Sequence, residues 1–354
     1  STVEQSTGSL TYRGYPAQEL ARSCSFEQVA YLIWHGELPD TAQLPAFCEL
    51  ERSRRFLDKG LTTLLDLLPH DSHPMDVLRT AVSYLGSINR ESQQHTYDIA
   101  VELLAKLPTV VAALHRQRHG LAAIAPDTTL PFTENFFHMC FGSAPESRVL
   151  RCFETSMTLY AEHSFNASTF TARVVASTLS DTYSAVTAAI GALKGPLHGG
   201  ANEAVMHTLT EIGSPGNVAA WVSGTLADKG TIMGFGHRVY KNGDSRVPAM
   251  AAAMVKLPPK PDTDKLLATY HELQRQVWQH KQLHPNLDFP SGLAYHLMGF
   301  DTALFTPMFV MSRITGWAAH ISEQRSANSL IRPLGHYTGV PQRQLPVKRS
   351  RGAQ

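Results

Sequence analysis

The sequence lacks most features that would mark a specialised class. Four cysteines, Cys24, Cys48, Cys140 and Cys152, occur in 354 residues with no CxxC pair. That pattern excludes a disulfide scaffold and a cysteine-based structural zinc, and it fits a reducing compartment, the cytoplasm or an organelle matrix. No apolar run approaches the roughly 18 residues of a membrane span, and no basic stretch followed by an apolar core opens the chain. Charge excess is also missing. The formal net charge is +1 with basic residues dispersed, so no nucleic-acid partner is expected. A short KRSR run at 348–351 reads as a solvated end, and STVEQSTGSL at the start reads as flexible or truncated. Strand signals are scarce, and the one Asn-Gly, at 242–243, has no alternating apolar residues around it.

Helix signals are plentiful. Ser25 and Gln28 form a capping box ahead of FEQVAYLIWH, which Gly36 and Pro39 close. Tyr183, Val186, Ile190 and Leu193 make a stripe at helical spacing that stops at Gly195-Pro196, and Val205, Leu209 and Ile212 repeat the pattern before Gly213. An apolar fraction of 43% supplies a sizeable core, and the fold class read from these patterns is all-α. Composition shifts at GPLHGGANE (195–203) and near LHPNLDFPSGLAYHLMGF (283–300), with a proline-interrupted surface loop, KLPPKPDTDK (256–265), between them. This predicts a small domain, 199–298, inserted between a large-domain first part, 1–198, and its C-terminal part, 299–354.

Candidate chemistry collects around glycines and prolines. His198 precedes Gly199-Gly200 and a predicted helix start, where backbone N–H groups favour developing negative charge; His163, in YAEHSFNASTF, stands before a similar helix entry. Either could equally be a histidine satisfying a turn. In GFGHRVYKNGDSR (234–246), the glycine spacing fits neither phosphate-loop pattern, but Gly234 and Gly236 allow close backbone approach, with His237, Lys241 and Arg246 as possible ligands. Asp288 lies between Pro285 and Pro290, which favour an extended backbone; it reads as a positioned general base or a turn former. Arg313, in a helical run with Trp317 and His320 on one face, and Arg332, before Pro333, offer forks for carboxylates or for ordinary ion pairs.

From TYRGYPAQELA (11–21) to LIRPLGHYTG (330–339) the chain resembles the citrate synthase family, with GPLHGGANE, GFGHRVYKNGDSR, PNLDF and SRITGWAAHISEQ in the family's order. SHPMDVLRT (72–80) and LYAEHSFNASTFTARV (159–174) are most similar to its 2-methylcitrate synthase branch and the bacterial relatives that also make citrate. The resemblance implies a large helical domain and a smaller one that closes over the site. It implies catalysis by His198, His237 and Asp288, and oxaloacetate contacts from His163, Arg246, Arg313 and Arg332. Coenzyme A contacts fall on Thr231, Ile232, Met233, Gly234 and Phe235, with Lys241 and Arg52 added. Arg52 stands in LERSRR, itself a basic helix surface.

The implied substrates are oxaloacetate and an acyl-CoA, with no permanently bound cofactor. A homodimer is implied, in which Arg332 reaches the other subunit. Relatives carry a small β element before YRGY that is expected to be missing here, and the 256–265 loop reads as shorter than usual. A dedicated citrate synthase using acetyl-CoA is the alternative enzyme. A catalytically silent CoA-binding protein would lack a catalytic position, yet all three are present. A metal-binding protein is raised by 17 histidines, but their spacing is not read as ligand pairing, and no metal site is expected.

Overall fold

Local signals set the helices. The Ser25 hydroxyl accepts the Gln28 N–H, the Gln28 side chain accepts the Ser25 N–H, and the helix that follows ends on left-handed Gly36. Asp58, Asn166 and Asp181 cap three further helices through their side-chain oxygens. The computed structural model describes residues 1–4, 8–89 and 96–345. The KRSR run lies outside the described residues.

Among the described residues the chain is all-α apart from one small sheet. In chain order, α1 is Ala17–Ser23, α2 Phe26–His35, α3 Gln43–Ser53, α4 Lys59–Leu67, α5 Pro74–Ile88 and α6 Thr96–Arg118. Then come α7 Phe132–Phe141, α8 Ser147–Tyr160, α9 Ala167–Ser177, α10 Thr182–Leu193 and α11 Ala201–Ile212. The last five are α12 Val218–Ala227, α13 Arg246–Met254, α14 Thr263–Lys281, α15 Asp288–Met298 and α16 Phe305–Ser326.

The start of the chain corrects two expectations, a flexible opening and a missing β element. Thr2–Glu4 (β1) pairs antiparallel with Ser9–Tyr12 (β2), which pairs with Tyr15–Pro16 (β3). These strands are too short for alternation to be counted, so what holds them is tertiary. Leu10 and Tyr12 are buried, and the Tyr12 hydroxyl lies 3.0, 3.2 and 3.1 Å from the carbonyl oxygens of Thr158, Leu159 and Glu162.

At the centre runs α16, packed by α2, α5, α6, α8, α9, α10 and α11. It is buried on nearly every side from Phe305 to Ile321, as befits a helix with neighbours all round. The predicted stripe Tyr183, Val186, Ile190 and Leu193 is wholly buried on α10, which packs on α5, α9 and α16. Farther along, α12 packs on α14, and α15 contacts α8, α11 and α13. The proline-rich connection between α13 and α14 is a surface loop pinned by buried Leu257.

Candidate active site

The turn that leaves α8 is clamped by α16. The Gly316 N–H donates to the Ala161 carbonyl at 3.1 Å, and a Cβ at Gly316 would lie 2.6 Å from that oxygen, so only glycine permits this approach. Buried Glu162 accepts from His320 Nε2 at 2.9 Å. His163 is thereby fixed with Nε2 2.8 Å from the Tyr240 hydroxyl and its ring 5.2 Å from that of His237. Burial, with Arg246 and Arg313 nearby, holds His163 well below the usual histidine range, so it is neutral.

Two more histidines have assigned protons. His198 Nε2 accepts the Ser168 N–H at 3.2 Å and lies 2.8 Å from Ser168 Oγ, to which Trp317 Nε1 donates at 3.1 Å. Burial, then Arg313, pushes His198 down to about 4, so the ring is neutral and carries its proton on Nδ1. α11 begins at Ala201, directly after Gly199-Gly200 as expected, but the His198 ring bonds to the first turn of α9. His237 has the opposite tautomer. Its Nδ1 accepts the Val239 N–H at 3.0 Å and the Tyr240 N–H at 3.4 Å, which leaves the proton on Nε2; burial and Arg246 push its pKa to about 4.

Asp288 is the first residue of α15 and not part of an extended loop. Pro290 fits the first helical turn, where its missing N–H has no partner to lose. The Tyr160 hydroxyl donates to Asp288 Oδ1 at 2.6 Å. Asp288 keeps some surface on the cleft, yet its carboxylate is packed deeply enough that loss of water raises it to about 6, against the pull of Tyr160 and of Arg246 and Arg313.

Buried Arg246 forks onto Asp244, Nε to Oδ1 at 2.9 Å and Nη2 to Oδ2 at 2.7 Å. Burial opposes its charge, and Asp244 more than offsets that, holding the guanidinium above its ordinary range. Arg313, 2% exposed, donates from Nε to the Tyr160 carbonyl at 2.6 Å and lies 4.6 Å over the Phe309 ring. Its Nη1 is buried with no partner, and burial lowers its pKa to about 10. A charged nitrogen in that state calls for an anionic ligand.

His163, His198, His237, Arg246, Asp288 and Arg313 line one cleft of about 1030 Å³, together with the run Thr231, Ile232, Met233, Gly234 and Phe235. Gly234 has φ 85°, and a Cβ there would meet Val205 Cγ2 at 2.6 Å. Two backbone bonds, Gly236 N–H to His284 O at 2.8 Å and Asn286 N–H to Gly234 O at 2.9 Å, tie this run to the segment entering α15. Asn286 Oδ1 in turn accepts the Asp288 N–H at 3.1 Å.

Three sequence candidates lie elsewhere. Arg332 is exposed in the chain after α16. Lys241 and Arg52 do not line the cleft. Lys241 is exposed beside a smaller cavity of about 110 Å³ bordered by His237. Arg52, on α3, shares a charge cluster with Glu51, Arg55 and Glu27 around Cys48. Conversely, Tyr160, Ser168, Tyr240 and Asp244 were not singled out by sequence. Asp244 had a local signal, two residues before Arg246, but Tyr160 and Ser168 act across 128 and 30 residues. The histidine reading also needs correcting: HRQRH (115–119) sets two histidines four apart, and they meet Asp301.

No helix of the described residues is long and apolar enough to cross a membrane. The family model for the citrate synthase C-terminal domain matches residues 1–334. The chain is 57% identical to a citrate synthase of Mycolicibacterium smegmatis over 98% of its own length and 93% of the relative's. It is 56% identical to a 2-methylcitrate synthase of Mycobacterium tuberculosis, covering 98% of this chain and 88% of that one. Citrate synthase from Thermoplasma acidophilum, solved with carboxymethyl coenzyme A and oxaloacetate, superposes with a TM-score of 0.92 at 31% identity, over 98% of this chain and 94% of that one. A family match across more than nine-tenths of the sequence thus accompanies the same overall fold, and the chain belongs to the citrate synthase family.

Proposed function

We propose that the protein is a 2-methylcitrate synthase, an acyltransferase that condenses propionyl-CoA with oxaloacetate and water to give 2-methylcitrate and CoA, with citrate formation from acetyl-CoA as a side activity. The polarity of the cleft carries the condensation chemistry, and the 56% identity to a 2-methylcitrate synthase supports the choice of propionyl-CoA. The cleft offers one carboxylate of raised pKa, two neutral histidines with opposite tautomers, and a buried arginine nitrogen without a partner.

Each group then has one task. Asp288 removes the α-proton of the acyl thioester, a step for which a pKa of about 6 suits it better than an ordinary carboxylate's. The enol oxygen receives a hydrogen bond from His198 Nδ1–H, a preorganised donor of the kind worth roughly 3–4 kcal/mol in the transition state. The enol carbon attacks the keto carbon of oxaloacetate, and His237 Nε2–H polarises that carbonyl and supplies the proton for the new hydroxyl. Arg246, Arg313 and His163 hold the keto acid's carboxylates. Water then cleaves the thioester, releasing the CoA thiol and leaving the third carboxylate. Closure of a small domain, 199–298, over the two large-domain parts, 1–198 and 299–354, keeps water out until the carbon–carbon bond exists.

The acyl-CoA is a substrate, and no permanent cofactor takes part. The protein works in the cytoplasm as a homodimer in which exposed Arg332 reaches the keto acid of the partner subunit. A dedicated citrate synthase is the second reading, favoured by the 57% identical relative of that name. Steady-state release of free CoA with each thioester tests the choice. Propionyl-CoA should give a kcat/KM at least equal to that of acetyl-CoA. A value more than about a hundredfold lower, near the discrimination limit for one methylene, overturns the assignment in favour of citrate synthase.

A further inference from the structure

At the end of α6, His115 stands in the last turn and His119 is the first residue past the helix, four residues on. They meet Asp301, which precedes the single 3₁₀ turn Thr302–Leu304 between α15 and α16. One donor atom from each residue lies within 4.8 Å of the others. His119 Nδ1 is 2.8 Å from the His115 carbonyl, which can only accept, so Nδ1 carries a proton and Nε2 is the ring nitrogen available as a ligand. That nitrogen faces Asp301 Oδ1 at 3.6 Å, a second acceptor. An ion placed between these two acceptors would be held by both.

His115 is 5% exposed, and its Nδ1 is buried without a partner. Phe141 and Phe300 wall its ring, with centroids 4.9 and 6.1 Å away, whereas His119 is exposed to incoming ions. The cluster also has basic neighbours: Arg116 acts on His115, and Arg118 Nε lies 3.8 Å from Asp301 Oδ2, which leaves Oδ1 for the ion.

We infer that His115, His119 and Asp301 form a binding site for a divalent transition metal of the zinc class. Two imidazoles and a carboxylate match the donors zinc prefers, and ligand bonds of about 2.0–2.2 Å leave a fourth position for water. Closing the present donor spread onto an ion requires side-chain rotation by His119 and Asp301, both accessible to solvent. A bound ion would fasten the end of α6 to the joint between α15, which carries Asp288, and α16, which carries Arg313.

The test uses the full chain, stripped with a chelator and dialysed against Zn²⁺. Elemental analysis should find about one zinc per chain, and the thermal midpoint should rise. His119→Ala and Asp301→Asn should each weaken binding at least about tenfold, since even the outer partners of metal ligands are worth that much. Both should remove the thermal shift while leaving acyl-CoA condensation unchanged. Co²⁺ in place of zinc should show visible absorption that changes in His119→Ala. Failure to bind at tens of micromolar zinc overturns the inference, as does binding that survives both substitutions, which would assign the ion to other histidines.

Discussion

Asp288 has its basicity set by two opposed neighbours, the packing that raises its pKa to about 6 and the Tyr160 hydroxyl that lowers it. A general base works only when ionised, so kcat should fall as pH drops through about 6. His198 and His237, with pKa values near 4, stay neutral across that range and do not account for the fall. In Tyr160→Phe the charged carboxylate loses its donor, burial is less opposed, and the acid limb of the profile should move to higher pH. A limb that stays in place or moves down shows that Tyr160 does not tune the base. Asp288→Asn should lower kcat at least about a hundredfold with oxaloacetate binding largely kept, as calorimetric titration would show. His198 and His237 were legible in sequence because glycines beside them announce unusual backbone, whereas His163 and Asp288 stood out by their place in motifs resembling the family's. Tyr160 and Ser168 were not legible, because a donor supplied from another helix leaves no trace near the residue it serves.

At the scale of elements, helices with a capping box or a clear apolar stripe were legible and the sheet was not. Ser25 and Gln28 state the start of α2 in their own side chains, whereas β2 exists because Tyr12 reaches the end of α8. The 231–236 run belongs with the second kind. Its shape comes from the bridge to His284 and Asn286 and from the space that Gly234 leaves beside Val205. Gly234→Ala should cost about 1–2 kcal/mol for the left-handed backbone alone, with the clash added to that. Displacing this run should raise KM for acyl-CoA by about tenfold or more, while the oxaloacetate dissociation constant changes less. Equal and small effects on both ligands would remove the run from the coenzyme side of the cleft.

Across the whole molecule, the proposed dimer makes a sharp demand. Arg332 is exposed and outside the cleft of its own chain, so its proposed role needs a second chain. Mixing inactive Arg332→Ala chains with inactive Asp288→Asn chains should restore part of the activity, because one cleft of each hybrid then holds both native groups. Hybrids that assemble and remain inactive, as judged by tagged co-purification and assay, place the arginine outside catalysis. Such a contribution cannot be read from periodicity, which reports what a segment buries and not whose cleft it serves.

The central helix α16 has a further consequence. The helix that holds the core together also holds Arg313 against the Tyr160 carbonyl, so its residues are constrained by folding and by chemistry at once. An engineer seeking a new acyl group has little freedom there, since a change of side-chain volume on α16 would be felt in every neighbouring helix. The rim is different. Leu197 is 95% exposed and Phe170 47%, and both border the cleft without supporting the core. A randomised library at those two positions should yield mostly soluble, folded members with altered thioester preference, whereas an equal library on α16 should yield mostly insoluble ones.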